Sequence, residues 1–139
     1  MPLSREEREK FLAEPHIGAL AVDAGEGRGP LAVPIWYQYE PGDDLWVLTG
    51  RDSRKATLIE RADRFSLLAE RVDPTIRYVS VEGPVTAATA TTEAELREMS
   101  ARYMPDDKVD AYVAASELEA LVTFRMRPER WNAADLGAL

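Results

Sequence analysis

Three observations predict a mainly β domain of the α+β class, a small closed or nearly closed antiparallel barrel of six strands with short flanking helices. The apolar segments have strand length and are punctuated by glycine, proline and acidic turns. Helical periodicity is confined to short stretches, and no repeat, low-complexity linker or composition shift divides the chain. Closure is the expected architecture because it removes the exposed edges that an open sheet leaves. At 139 residues with 45% hydrophobic content, the chain can bury the core of one domain, residues 1–139, without covalent staples.

Ser4 followed by Glu7 has the spacing of a capping box, and Phe11 and Leu12 complete an apolar stripe, so a helix is predicted from Arg5 to Ala13, ended by Pro15. The apolar run IGALAV, Ile17 to Val22, has strand length. The turn-rich DAGEGRG separates it from PLAVPIWYQYE, Pro30 to Glu40, and the two read as a hairpin. Gly25, Gly27 and Gly29 superficially resemble a dinucleotide loop, but Pro30 opens a strand where that fingerprint requires a helix, so they are read as a turn. The turn PGDD leads into the strand LWVLT, Leu45 to Thr49. Ser53 then caps a predicted helix of about two turns whose apolar positions Ala56, Leu58, Ile59 and Ala62 share a face.

Phe65 to Arg71 and Ile76 to Ala90 return to strand character, the second with a bend expected at Gly83 and Pro84. Two helices are predicted over EAELREMSARYM and DDKVDAYVAAS, separated by Pro105 and Asp106; their acidic residues read as solubilising surface. Leu118 to Arg127 supplies the sixth strand. There Val122, Phe124 and Met126 alternate with Leu121, Thr123, Arg125 and Arg127, as in a strand with one buried face.

Composition narrows the function classes. No cysteine is present, which removes disulfides, thiolate metal sites and a cysteine nucleophile, and points to a reducing compartment. The single histidine, His16, rules out a multi-histidine metal cage and reads as a strand-entry residue, so no metal is expected. With 25 acidic against 17 basic residues, the surface repels phosphate backbones, and nucleic acid is not an expected partner. MPLSREEREKFL lacks the apolar core of a leader, and no segment approaches the ~18 apolar residues of a membrane span, so the expected location is the cytoplasm without membrane association.

One stretch runs against the acidic background. TGRDSRKATLIERA, Thr49 to Ala62, places Arg51, Arg54 and Lys55 where a strand ends and a helix begins. Helix starts favour Asp and Glu, because the unpaired N–H groups and the macrodipole carry positive potential there. Cations at that position break a local rule, and such breaks concentrate at functional sites. Ser53 with two cations and free backbone donors is a sound receptor for a phosphate dianion.

With these residues in view, the sequence resembles the flavin- and deazaflavin-binding split β-barrels, the superfamily of pyridoxamine 5'-phosphate oxidase. It is most similar there to the small actinobacterial members that depend on coenzyme F420. The resemblance covers nearly the whole chain: the first helix, IGALAV, GRGPLAVPIWYQYE, LWVLTGRDSRKATLI, RYVSVEGPV and RMRPERWNAADLGAL, with SRKA its most specific block. It implies a homodimer with two cofactor sites, each built from both chains. Pro34, Ile35, Trp36 and Tyr37 would lie against the cofactor ring, Thr49 and Gly50 beside the ribityl chain, and Ser53, Arg54 and Lys55 at the phosphate. Arg77 and Tyr78 would stand near the cofactor or the dimer contact, and Trp131 matches an aromatic near the family's C-terminus. The chain is shorter than the oxidase and lacks its full C-terminal pyridoxal-binding pattern.

The implied activity is F420-dependent hydride transfer between reduced cofactor and a small organic substrate. Alternatives are an FMN-dependent oxidase or reductase on the same fold, and a non-catalytic flavin, deazaflavin or haem carrier, for which His16 is the one available imidazole. No catalytic residue is assigned, since such cofactors carry the hard chemistry and the protein contributes position and electrostatics. Trp36 and Tyr37 keep a second reading, as packing of core and dimer seam. Arg125, Arg127 and Arg130 read as a solvated strand face or a dimer ion-pair set, and Glu82 receives no catalytic role.

Overall fold

The computed structural model describes residues 1–137; Ala138 and Leu139, the last two residues of the family resemblance, lie outside them. The first helix, α1 (Arg5–Ala13), begins where the sequence predicts. Ser4 Oγ accepts the Glu7 N–H at 3.1 Å while Glu7 Oε1 accepts the Ser4 N–H at 2.9 Å, which satisfies two of the orphan donors of the first turn. Phe11 and Leu12 point into the core.

Strands β1 (Gly18–Val22) and β2 (Leu31–Ile35) form the expected antiparallel hairpin, with Gly18 opposite Ile35. The run PLAVPIWYQYE is not one strand, however. It ends its pairing with β1 at Ile35, and a two-residue strand, β3 (Tyr37–Gln38), pairs instead with β4 (Leu45–Gly50), Tyr37 opposite Val47. Helix α2 (Arg54–Ala62) follows, then β5 (Arg64–Arg71) and the 15-residue β6 (Ile76–Ala90). Helices α3 (Glu93–Tyr103) and α4 (Asp106–Ala115) precede β7 (Leu121–Met126) and a last strand, β8 (Arg130–Gly137).

Eight strands therefore replace the expected six. Trp36 divides one predicted strand in two, and β8 is an addition whose Asn, Ala and Asp content has weak strand propensity. β8 is held along β6, with Val81 opposite Trp131, and Leu3 donates its N–H to Ala133 O at 3.2 Å on the other side.

The strands run in the order β2-β1-β5-β6-β7-β4-β3, with β8 also on β6. Since β2 and β3 stand at opposite ends of this path and only Trp36 separates them in sequence, the sheet must curl until its two ends meet. This is a split barrel. β6 serves both halves: its first part, up to Pro84, pairs with β5 and β8, and its second part, from Val85, pairs with β7, with a register shift between Val85 and Ala87. Gly83 is required, because a Cβ there would run into the Arg127 carbonyl oxygen of the β7–β8 connection.

The barrel interior holds the main core, including Leu20, Tyr37, Val47, Leu67, Val79 and Phe124. A second cluster of Leu96, Val109 and Val113 seats the α3–α4 hairpin over Leu48 and Leu121. That hairpin covers the face of β7 expected to be open. Thr123 is fully buried there, its Oγ1 2.9 Å from Thr91 Oγ1 and 3.2 Å from Glu95 Oε1. Glu95 also accepts from Arg125 at 2.7 Å. Burial alone would raise the Glu95 pKa, but the Thr92 N–H, Arg125 and Thr123 together outweigh it and hold the carboxyl below its ordinary value.

β8 is fastened at its far end by Asp135. Its Oδ2 accepts from Thr75 Oγ1 at 2.7 Å and from Arg77 Nε at 2.9 Å, and its Oδ1 accepts the Gly137 N–H at 2.8 Å. Arg71 and Arg77 stand directly opposite each other on β5 and β6, and Asp135 lies between these like charges. The Thr75 hydroxyl, then the Gly137 N–H, then Arg77 hold the Asp135 carboxyl down at about 2, below its ordinary 3.8. A carboxyl more acidic in the folded state stabilises fully above its unfolded pKa and loses that contribution as the pH falls through the folded one. The melting-temperature gap between wild type and Asp135→Asn is therefore expected to be constant above about pH 5 and to close between about pH 4 and pH 2. Thermal melts followed by circular dichroism across that range check it.

Candidate cofactor site

The cation-bearing helix start is built as the sequence predicts. Ser53 has extended backbone (φ −73°, ψ 157°), its Oγ accepts the Ala56 N–H at 3.2 Å, and its carbonyl accepts the Thr57 N–H at 3.2 Å. The capping oxygen is thereby engaged as an acceptor while the hydroxyl proton remains a donor. Thr49 Oγ1, from the end of β4, lies 3.5 Å away. The N–H groups at the start of the helix, those of Arg54 and Lys55 among them, have no intrahelical acceptor, and the first turn contains no acidic side chain. Among the described residues, neither Arg51, Arg54 nor Lys55 has a carboxylate within ion-pair distance. Arg51 turns back on β7, its N–H on Ala120 O at 2.7 Å and its Nη2 3.4 Å from Leu121 O. A Cβ at Gly50 would meet only Ser53, at 3.8 Å, so the approach over this glycine is open.

The Pro34–Tyr37 segment lies at the same end of β4. Continuing the pairing of Tyr37 with Val47 by two residues would set Ile35 beside Thr49, but the backbone departs at Trp36 and leaves a seam between the two halves. Thr49, Gly50 and the start of α2 stand on one side of that seam, with Pro34 and Trp36 on the other.

The side chains of Ile35 and Tyr37 face inward. Tyr37 is fully buried, its Oη donating to Leu12 O at 2.7 Å, and burial pushes its phenol pKa well above the ordinary value. On the outside this segment presents the exposed Pro34 ring and the half-exposed Trp36 indole. The packing reading describes the Tyr37 side chain, whereas the Trp36 indole is half-exposed.

Three residues stand apart from this group. Arg77 is bound to Asp135. Tyr78 is half-exposed on the outer face of the sheet, opposite Glu70 on β5 and Ala134 on β8. Trp131 packs edge-on to Tyr39 (6.1 Å between centroids) with the Arg8 guanidinium 4.6 Å above its ring. It lines a cleft of about 210 Å³ with Arg5, Arg8, Tyr39 and Arg127, alongside the turn that precedes β4 and so away from Ser53.

Two residues that sequence reasoning missed hold the seam in shape. Trp36 stacks on Tyr103 (4.9 Å, 18°) and meets Tyr112 at 6.0 Å, while Arg102 donates to Ala13 O and Gln38 Oε1, each at 2.8 Å. The residues read only as a helix end before Pro105, and nothing in their spacing marks them.

With this geometry described, comparison with known proteins becomes informative. The model of the family described as pyridoxamine 5'-phosphate oxidase matches residues 4–135. The chain belongs to this family. No curated protein matches the sequence. Among solved structures, a conserved hypothetical protein of Mycobacterium tuberculosis is 28% identical with a TM-score of 0.75, the match covering 96% of this chain and 85% of that one. A protein named F420 reductase is 21% identical, TM-score 0.76, over 89% of this chain and 94% of its own. An FAD-binding protein of Mesorhizobium loti is 18% identical, TM-score 0.69, over 97% and 96%. The fold expected from the sequence is thus the fold of the family, whose members bind flavin-type cofactors.

If the cations of α2 serve a ligand rather than the fold, stability responds accordingly. Ser53→Ala is expected to cost ~1 kcal/mol through loss of the cap. Lys55→Glu is expected to stabilise by ~0.3–1 kcal/mol, since it restores the favoured charge to the helix start. Urea unfolding of both variants gives the two signs.

Proposed function

We propose that the chain is an F420-dependent oxidoreductase that transfers hydride between the reduced deazaflavin and a small organic substrate. The carrying observation is the α2 start, where Ser53, free backbone donors and two cations without carboxylate partners face open space beside the seam. Family membership supports a flavin-type cofactor, and the fold it shares with a protein named F420 reductase supports the deazaflavin. The cofactor, when bound, supplies the hydride chemistry. Ser53, Arg54 and Lys55 bind its phosphate, Thr49 and Gly50 flank the chain between phosphate and ring, and Pro34 and Trp36 orient the ring and exclude water. With Arg77 held by Asp135, Arg51 is the cation left for the acidic tail that distinguishes F420 from FMN. An FMN-dependent enzyme is the second reading, because the two cofactors share the ribityl phosphate that this block recognises.

The working form in this proposal is a homodimer formed through the outer face of the sheet. There Pro34, Ala19, Leu68, Ser80 and Asn132 form one cross-strand row of small or flat side chains. Ile17 beside them is 56% exposed, and a shallow groove of about 430 Å³ runs between Ile17, Ala32, Pro34 and Leu68. A second copy laid on this face would bring its own residues to the seam, since Pro34 belongs to both. Tyr78, on the same face as Ser80, would then serve the dimer contact, whereas Arg77 points to the opposite face and stays with Asp135.

Titration with F420 and with FMN, followed by tryptophan quenching, is expected to show at least about tenfold tighter binding of F420, a difference of ~1.4 kcal/mol. Tighter FMN binding would transfer the site to the second reading. Lys55→Ala removes a charge-assisted bond to phosphate worth ~1.5–3 kcal/mol, so affinity for either cofactor should fall about ten- to a hundredfold with little change in melting temperature. Sedimentation should give a dimer, with more than ~1,200 Å² buried. Leu68→Arg should yield monomers with weakened cofactor binding; a folded variant that remains dimeric would move the interface elsewhere.

A further inference from the structure

The residue that bridges the two halves of the sheet, Trp36, belongs to neither ladder, so no strand pairing fixes its backbone or its indole. Helix α3 does so from outside the sheet. Tyr103, its last residue, takes hold of Trp36 in two ways. Its ring stacks against the indole at 4.9 Å and 18°. Its hydroxyl accepts the Tyr37 N–H at 3.2 Å and lies within donating distance of Tyr37 O (3.0 Å) and His16 O (2.8 Å). A phenolic hydroxyl has one proton and two lone pairs, so it donates to one of these two carbonyls at a time while accepting the Tyr37 N–H, and every orientation open to it ties the ring to the backbone on either side of the crossing. Arg102 brackets the same region. Its guanidinium joins Ala13 O and Glu14 O, at the end of α1, to the Gln38 side chain, the last of β3, with distances of 2.7–2.8 Å, and lies 4.9 Å from the Tyr37 ring centroid.

From this geometry we infer that Tyr103, supported by Arg102, is the positioning residue of the cofactor site: it sets where Trp36 stands and which face of the indole is presented to the ring. The inference rests on the reading of Trp36 as a ring contact for its functional part, and on the contacts above for its structural part. It gives the α3–α4 insertion a task beyond covering Leu48 and Leu121, since its terminal aromatic residue determines the shape of a site to which the insertion contributes no phosphate ligand.

The test uses the full chain labelled with 5-fluorotryptophan. It has three tryptophans, and the Trp36 fluorine line is identified by its loss in Trp36→Phe. Tyr103→Phe keeps the ring and removes the hydroxyl. It is expected to shift or broaden the Trp36 line and leave those of Trp46 and Trp131 in place, which also shows that the variant is folded. Arg102→Lys, as a second variant, is expected to move the same line by less. If Tyr103→Phe leaves Trp36 in its productive position about one tenth of the time, affinity for FMN or F420 falls about tenfold. In a Trp36→Ala background the same change should then cost less than about twofold, because the two residues act as one unit. A Trp36 line unmoved in both variants overturns the inference, as does an affinity loss from Tyr103→Phe that is the same with and without Trp36. Failure of the wild type to bind either cofactor would instead overturn the proposed function, while the fluorine line would still decide whether Tyr103 sets Trp36.

Discussion

The backbone leaves one end of the sheet and joins the other across a single residue, and the rest of the structure is organised around that crossing. Because β2 and β3 are joined through Trp36, the sheet has to curl until its ends meet, yet the two strands cannot pair where they part. The parting leaves polar backbone that no ladder satisfies, and a buried polar group without a partner is costly. From α3, Tyr103 supplies partners to the Tyr37 N–H and carbonyl, and Arg102 ties the neighbouring end of α1 to the Gln38 side chain. Helix α2, which follows the end of β4, carries cations that have no carboxylate partner among the described residues.

Magnitudes explain why α2 tolerates those cations. Each misplaced charge in the first turn costs ~0.3–1 kcal/mol. Burial of Leu58 and Ile59, with Ala56 beside them, contributes ~1.5–3 kcal/mol for each large side chain. The helix end is fixed as well: Asp63 adopts the left-handed conformation (φ 58°), donates its N–H to Ile59 O at 2.8 Å, and accepts the Val85 N–H at 3.0 Å. The helix is thus secured by its buried face and its C-terminal end, so its N-terminus need not be optimised for stability.

What the sequence discloses is what local rules decide. The Ser4–Glu7 box, the Ser53 cap, the break at Pro105 and the β1–β2 hairpin all depend on neighbours within a few residues, and all appear where expected. The crossing at Trp36 is hidden because LAVPIWYQY reads as one strand; which ladder each half joins is settled by β1 and β4, distant in the sequence. β8 is hidden because its small and polar residues gain strand conformation only from β6. Thr123 alternates as an exposed residue until α3 covers it. Of the candidate site, the cation-bearing start of α2 was legible as a breach of helix-start preference. By contrast, the partners of Arg77 and Trp131, namely Asp135 and Arg8, depend on how distant segments meet.

The strand β6 serves three others, β5, β7 and β8, and through Gly83 it lies against the connection between the last two. Neither half of the sheet is complete without it, so the two halves are expected to unfold together in one cooperative transition. The order of synthesis adds a delay. β4 waits for β7, and the early part of β6 waits for β8, so the emerging chain exposes unpaired apolar strands until its last segment is available. Non-local pairing of this kind folds slowly and is exposed to aggregation while it waits. Sequence changes near the C-terminal strand would therefore act on the yield of folded protein before they act on anything the folded protein does.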